Sequence, residues 1–315
     1  KQILVASNGS LKGLINEKAT PPYSSPYQGE DGRGGTMQIA LADPPTDADL
    51  AETIEVKFTP AIQAKAAELG HSPVKIYNWV RNNIEFVPTY GSIQGADMCL
   101  QTKLCNDTDT ANLLIALLRV SGIHAKYAYG TIELPIEKVK NWVGGFTDSN
   151  AALTFIASGG IPVTGLSSGG TISEVRMEHI WTEAYIPYGN YRGSMKDDSI
   201  KTWIPMDASY KQYTYTSGID LTVAVPFDQD DYLSQPQEQN PIHYYQTKIQ
   251  EYLAVNMPDT SIVDVKGTKE IKQENYHFLS PTLPYQTVTV LIKMSSVPAT
   301  IRHSVVFTIT DPYDS

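Results

Sequence analysis

Cysteine is scarce in this 315-residue chain: there are two, Cys99 and Cys105, six positions apart. Two sulfurs are too few for a four-ligand zinc site, and none of the histidines, at 71, 124, 179, 243, 277 and 303, lies at metal-ligand spacing from them. No metal is expected, and no cofactor either, because the chain has no phosphate-binding loop, dinucleotide fingerprint, EF-hand loop or HExxH helix. It also lacks an apolar run approaching the ~20 residues that span a bilayer, and no signal-peptide pattern opens it. Charged residues make up only 18 %, with a net charge of −10. That balance argues against nucleic acid and against anionic membrane surfaces as partners.

What the chain has in quantity is tyrosine, 19 of them, with abundant Ser, Thr and Gly. Together with the low charge, this leans toward an extracytoplasmic setting. The cysteine pair is open to two readings. Cys99 and Cys105 form a small disulfide loop in an oxidising compartment, or one is a catalytic thiol and the other a bystander. Length allows one large or two moderate domains.

The organising stretch is Lys103–Thr131, KLCNDTDTANLLIALLRVSGIHAKYAYGT. Only Asn112 and Arg119 interrupt its apolar run, and their spacing of seven puts them on one side of a helix over 108–121 that must be buried almost all round. Asp107 and Asp109 suit its N-terminus, where free amides and the macrodipole favour negative charge, and Ser121-Gly122 stops it. Such a helix end is a common seat for a nucleophile. Arg119 is expected to make a structural ion pair.

Around this stretch the periodicity predicts a strand at 53–58, with Ile54, Val56 and Phe58 inward, and helices at about 60–69 and 72–82. A strand then runs into a long loop through Cys99. After the central helix comes a strand from 123, then an excursion over 136–170 with two helices and a Gly-rich run. In MEHIWTEAYIP, His179, Trp181, Glu183 and Tyr185 share one strand face; in KTWIPMDASY, Trp203, Pro205 and Asp207 share another. If the two strands pair as a hairpin, His179 comes level with Asp207, as an imidazole and its orienting carboxylate require. The Pro, Gly, Ser and Tyr of residues 1–48 read as an extended arm with short strands at 2–6 and 36–41, and the composition shifts after 235. Residues 49–235 are therefore expected to form one domain and 236–315 a C-terminal α/β extension with strands at 287–293 and 305–310. Strand-like text at both ends suggests a piece of a longer protein.

Helix 72–82 with Trp79, the block ANLLIALLRVSGIHAKYAYGTIEL, the H-x-W strand and the W-x-x-x-D strand stand in the order found in transglutaminase-like domains of the papain-like cysteine enzyme group, which residues 53 to 215 resemble. Lys126 departs from that family's Arg. The resemblance implies an α+β fold, a buried helix packed on an antiparallel sheet, and a Cys–His–Asp site in which thiolate attacks a side-chain amide or peptide carbonyl. His179 and Asp207 carry over directly. The nucleophile does not: counting back from Ala111 in the C-x-x-x-A pattern gives Asp107, and Cys105 falls two residues too early.

Three readings follow. Asp107 fills the nucleophile slot and amide exchange is lost; the loop bulges and Cys105 works with His179 and Asp207 as an acyltransferase or amide hydrolase; or Cys105 is tied to Cys99 and the domain is a binding or structural module. Gln94 is a candidate oxyanion donor. The expected partners are protein or peptide side-chain amides, or a surface polymer, and the expected setting is a secreted or surface-anchored protein.

Overall fold

Prolines start the first two helices. In α1 (Pro60–Glu68) and α2 (Pro73–Asn83) a Pro occupies the first turn, where its missing N–H is not needed, and the hydroxyls of Thr59 and Ser72 accept N–H groups of that turn. The structure, a computed structural model, describes residues 44–187, 201–234 and 239–305. The expected strands at 2–6 and 36–41, most of that at 305–310 and most of the loop between the H-x-W and W-x-x-x-D strands lie outside the described residues. Residues 53–58, expected as a strand, form bends without a ladder. Val56 is fully buried there, but Ile54 is 67 % exposed, so the apparent alternation does not mark one face.

The chain continues through β1 (Glu85–Phe86), α3 (Gly95–Thr102), β2 (Leu104–Cys105) and α4 (Asp107–Val120). Strands β1 and β2 pair in parallel. Every residue of α4 from Asp107 to Arg119 is buried. Asn106, rather than an aspartate, caps it, accepting the Asp109 N–H at 2.7 Å while its own amide donates to the Gly91 carbonyl at 2.6 Å. Leu113, Leu114, Ile115, Leu117 and Leu118 are at most 1 % exposed, each gaining about 1.5–3 kcal/mol from burial. Arg119 makes no ion pair among the described residues. It donates instead to the Ala51, Ala125 and Ser295 carbonyls, tying three segments to the helix end.

Next come β3 (Ala125–Pro135), α5 (Ile136–Val143), α6 (Ser149–Ser158), β4 (Val163–Ser168), β5 (Thr171–Ile186) and β6 (Thr202–Met206). The expected excursion thus holds α5, α6 and, within its Gly-rich run, the sheet strand β4. The chain then forms β7 (Tyr213–Thr216), α7 (Gln229–Ser234), α8 (Pro241–Asn256), α9 (Ile262–Val265) and β8 (Thr268–Ile271) before β9 (Gln286–Met294). Strand β9 is not part of a separate C-terminal extension. It pairs antiparallel with β3 from Tyr127↔Met294 to Glu133↔Gln286, giving β3 a partner on its second edge. Gly130 permits this approach, since a side chain there would run into the Thr289 carbonyl. The expected boundary at 235 is accordingly redrawn: Tyr213–Lys272 is one compact unit, and the chain on both sides of it forms the other. Composition could not show this, because it cannot see a strand returning to a distant partner.

The result is an α+β fold with an antiparallel sheet ordered β4-β5-β3-β9, and with β6 also on β5. Strand β5 pairs with β3 along its length, so β4 and β6 share its other edge, end to end. Strand β4 reaches Met177, and β6 ends, at Met206, opposite Thr182. Residues 178–181 are left as a gap in the ladder.

Candidate functional site

The gap in the sheet edge makes the site. Backbone N–H groups left without a strand partner need another acceptor. The Glu178 N–H takes the Pro162 carbonyl at 3.0 Å, and the Ile180 N–H takes Asp107 Oδ2 at 3.1 Å. The first residue of α4 is thereby pinned to β5 beside His179.

Asp107 Oδ2 lies 3.1 Å from His179 Nδ1. No acceptor lies in line with the Nδ1–H, so the contact is a close ion pair rather than a directed hydrogen bond. On the other side of the ring, Nε2 lies 2.9 Å from Asp207 Oδ2. Asp207 follows β6 directly, and the β5–β6 register, whose last pair is Thr182↔Met206, leaves it just past the ladder, in the gap that holds His179.

Both carboxylates are saturated. Asp207 also accepts the Tyr285 hydroxyl at 2.8 Å, the Ser209 N–H and hydroxyl at 2.8 and 2.7 Å, and the Tyr210 N–H at 3.2 Å. Asp107 Oδ1 accepts the Thr108 N–H at 2.7 Å and the Thr108 hydroxyl at 3.2 Å. Aromatic rings close the space. Trp142, stacked on Phe86 at 4.5 Å, meets the imidazole nearly perpendicular at 5.4 Å, and Tyr285 does so at 5.9 Å. His179 is 1 % exposed.

Burial by itself would push His179 toward the neutral form. The Asp207 charge, the Asp107 contact and the Asp207 hydrogen bond outweigh it and raise the imidazole to about 10. Asp207 is likewise opposed by burial, yet the His179 charge and the His179, Ser209 and Tyr285 hydrogen bonds lower it to about 2. The two shifts favour an imidazolium paired with the Asp207 carboxylate.

The other sequence candidates lie apart from this group. Cys105 is bonded to Cys99, with Cα atoms 5.8 Å apart and both residues buried, so the expectation of a free Cys105 thiol reaching His179 is corrected by the structure. Gln94 caps α3; its amide donates to the Leu104 carbonyl at 2.6 Å and its Oε1 accepts from Thr102, so its side chain is committed away from the imidazole. Asp109 accepts the Ile93, Gln94 and Gly95 N–H groups and thereby shapes the loop before α3; burial raises it despite those bonds. Among the described residues no group of three or more His, Cys, Asp or Glu is placed to hold a metal.

Sequence reasoning missed Trp142, Ser209 and Tyr285. Ser209 had a signal: a Ser two residues after an Asp favours a local turn in which the carboxylate accepts backbone N–H groups. Tyr285 comes from 78 residues beyond Asp207, positioned where Asn78, Arg81 and Asn82 of α2 hold the segment 274–276. Nothing local announces it.

A buried helix ending against a strand histidine, with the orienting aspartate on the next strand, is the frame of a papain-like α+β domain. Residues 56–208 match the family model of the transglutaminase-like superfamily, and this span of the chain belongs to that superfamily. No curated protein and no solved structure matched the chain.

Proposed function

We propose that this is a transglutaminase-like domain degenerate at its nucleophile, acting without catalysis as a binding or structural module of a larger extracytoplasmic protein. The observation that carries this reading is Asp107 Oδ2 at 3.1 Å from His179 Nδ1, where the family resemblance expects a thiol. A carboxylate is a poor nucleophile toward amides, and this one is occupied by Thr108 and Ile180 as well as by the imidazolium. The thioester route therefore has no starting group. Instead the triad joins α4, β5 and the end of β6 through one buried charge network.

The bonded pair Cys99–Cys105 supports an oxidising, extracytoplasmic compartment. Among the described residues no helix is long and apolar enough to cross a membrane. The partners we propose are those the resemblance suggests, protein or peptide side-chain amides or a surface polymer, held rather than modified.

Two measurements test the reading together. Glutamine-peptide hydroxamate formation by the intact chain should equal the blank, and iodoacetamide should label neither cysteine without reductant. Turnover above the blank that disappears in Cys105→Ser would restore the thiol mechanism.

A further inference from the structure

The 213–272 unit has a small core of Leu221, Ile249 and Leu253. It carries a cleft of about 260 Å³ between the 224–228 turn, Asp231 on α7, and Tyr244, Tyr245 and Lys248 on α8. This is just below the roughly 300–1,000 Å³ of drug-sized pockets, and suits one ring rather than a chain.

Its aromatic residues are fixed in orientation. Phe227 meets Tyr245 at 5.8 Å and 90° and Tyr244 at 6.4 Å and 84°. The Tyr245 hydroxyl donates to the Val225 carbonyl at 2.7 Å and the Tyr244 hydroxyl to Asp231 at 2.5 Å. Both hydroxyls are thereby engaged by the protein itself, which fixes the two rings in the wall of the cleft. Phe227 is 44 % exposed, so part of an apolar ring faces solvent at the cleft.

The polar groups carry both signs. One oxygen of Asp228 accepts the Asp231 N–H at 2.9 Å. The Lys248 ammonium sits 5.4 Å from the Tyr244 ring and makes no ion pair among the described residues. A cationic ligand would meet Lys248, and an anionic one would meet Asp228 and Asp231. A neutral ligand with an apolar C–H face for the rings, hydroxyl donors for the carboxylates and hydroxyl acceptors for the ammonium satisfies all of them.

We propose that this cleft binds the ring of a neutral saccharide, free or at the end of a glycan. The site is independent of the Asp107–His179–Asp207 group, so either proposal can fail alone. The test is saturation-transfer NMR on the intact chain with a panel of neutral pentoses, hexoses and N-acetylhexosamines and their short oligosaccharides. The expected result is transfer to ring C–H protons of at least one compound. Response to monosaccharides marks free-sugar capture, and response to oligosaccharides alone marks glycan ends; both uphold the site. Phe227→Ala, Asp228→Asn and Lys248→Met should each weaken binding, Phe227→Ala by about tenfold. All three positions are exposed and Asn still caps a helix, so far-ultraviolet circular dichroism should not change. No transfer from any panel member, or transfer unchanged in all three variants, overturns the proposal.

Discussion

Replacing His179 with Gln should destabilise the 56–208 domain by several kcal/mol and abolish a pH dependence that the wild type shows. The ring is 1 % exposed and touches two carboxylates at 3.1 and 2.9 Å. Raising its proton affinity from 6.5 to about 10 corresponds to on the order of 5 kcal/mol, an upper limit for the variant's loss. Removing one partner from a buried ion pair costs about 3–5 kcal/mol by itself, because the charges left behind keep their desolvation penalty. A histidine raised on folding contributes its full stability below its unfolded value of 6.5 and loses it as pH climbs toward about 10. Asp207, lowered to about 2, contributes fully above its unfolded value of 3.8 and loses this as pH falls toward about 2. The pair is thus most stabilising between these two reference values.

All four tryptophans, at 79, 142, 181 and 203, lie outside the 213–272 unit, so their fluorescence follows the relevant unit during urea unfolding. From pH 7 to 9 the wild type should lose up to about 1.4 kcal/mol per pH unit from this group, and His179→Gln should show no such slope. A loss below about 1 kcal/mol in the variant, or the same slope in both proteins, would refute a charged imidazole between two carboxylates.

Other outcomes follow from the same geometry. Asp107→Cys should place a sulfur beside the His179 ring and create a site labelled by iodoacetamide near neutral pH, which mass spectrometry would locate at 107. Reducing Cys99–Cys105 should lower stability by about 2 kcal/mol, since the bond closes only a short loop, read as a shift in the thermal midpoint. Leu114→Ala, at a site 1 % exposed in the all-buried helix, should cost about 2–5 kcal/mol by urea unfolding.

The central helix was legible because Leu113 to Leu118 leave no polar face and the flanking Asn, Asp, Ser and Gly mark its ends. His179 and Asp207 were legible through strand alternation, and Asp107 through its distance from Ala111. Legibility ended where long-range pairing begins. The break between β4 and β6 that lets Asp107 reach the Ile180 N–H is a property of three strands together. Tyr285 arrives with the strand that pairs with β3 after a whole intervening unit. Residues 53–58 show the opposite failure: Ile54 alternates as a strand residue should, but no neighbouring strand covers it. Cys105 stood near enough to the helix in sequence to invite a catalytic role, yet its nearest chemistry is Cys99.

The most direct test of the central claim is the protonation state of one ring. Nitrogen-15 NMR of the His179 imidazole, assigned by comparison with His179→Gln, reads it without reference to stability or turnover. Protonation of both ring nitrogens at pH 8, with titration only toward about 10, is the result the charged triad requires. A ring that is neutral at pH 8 and titrates near 6.5 would leave His179 free to act as a base and would contradict the account.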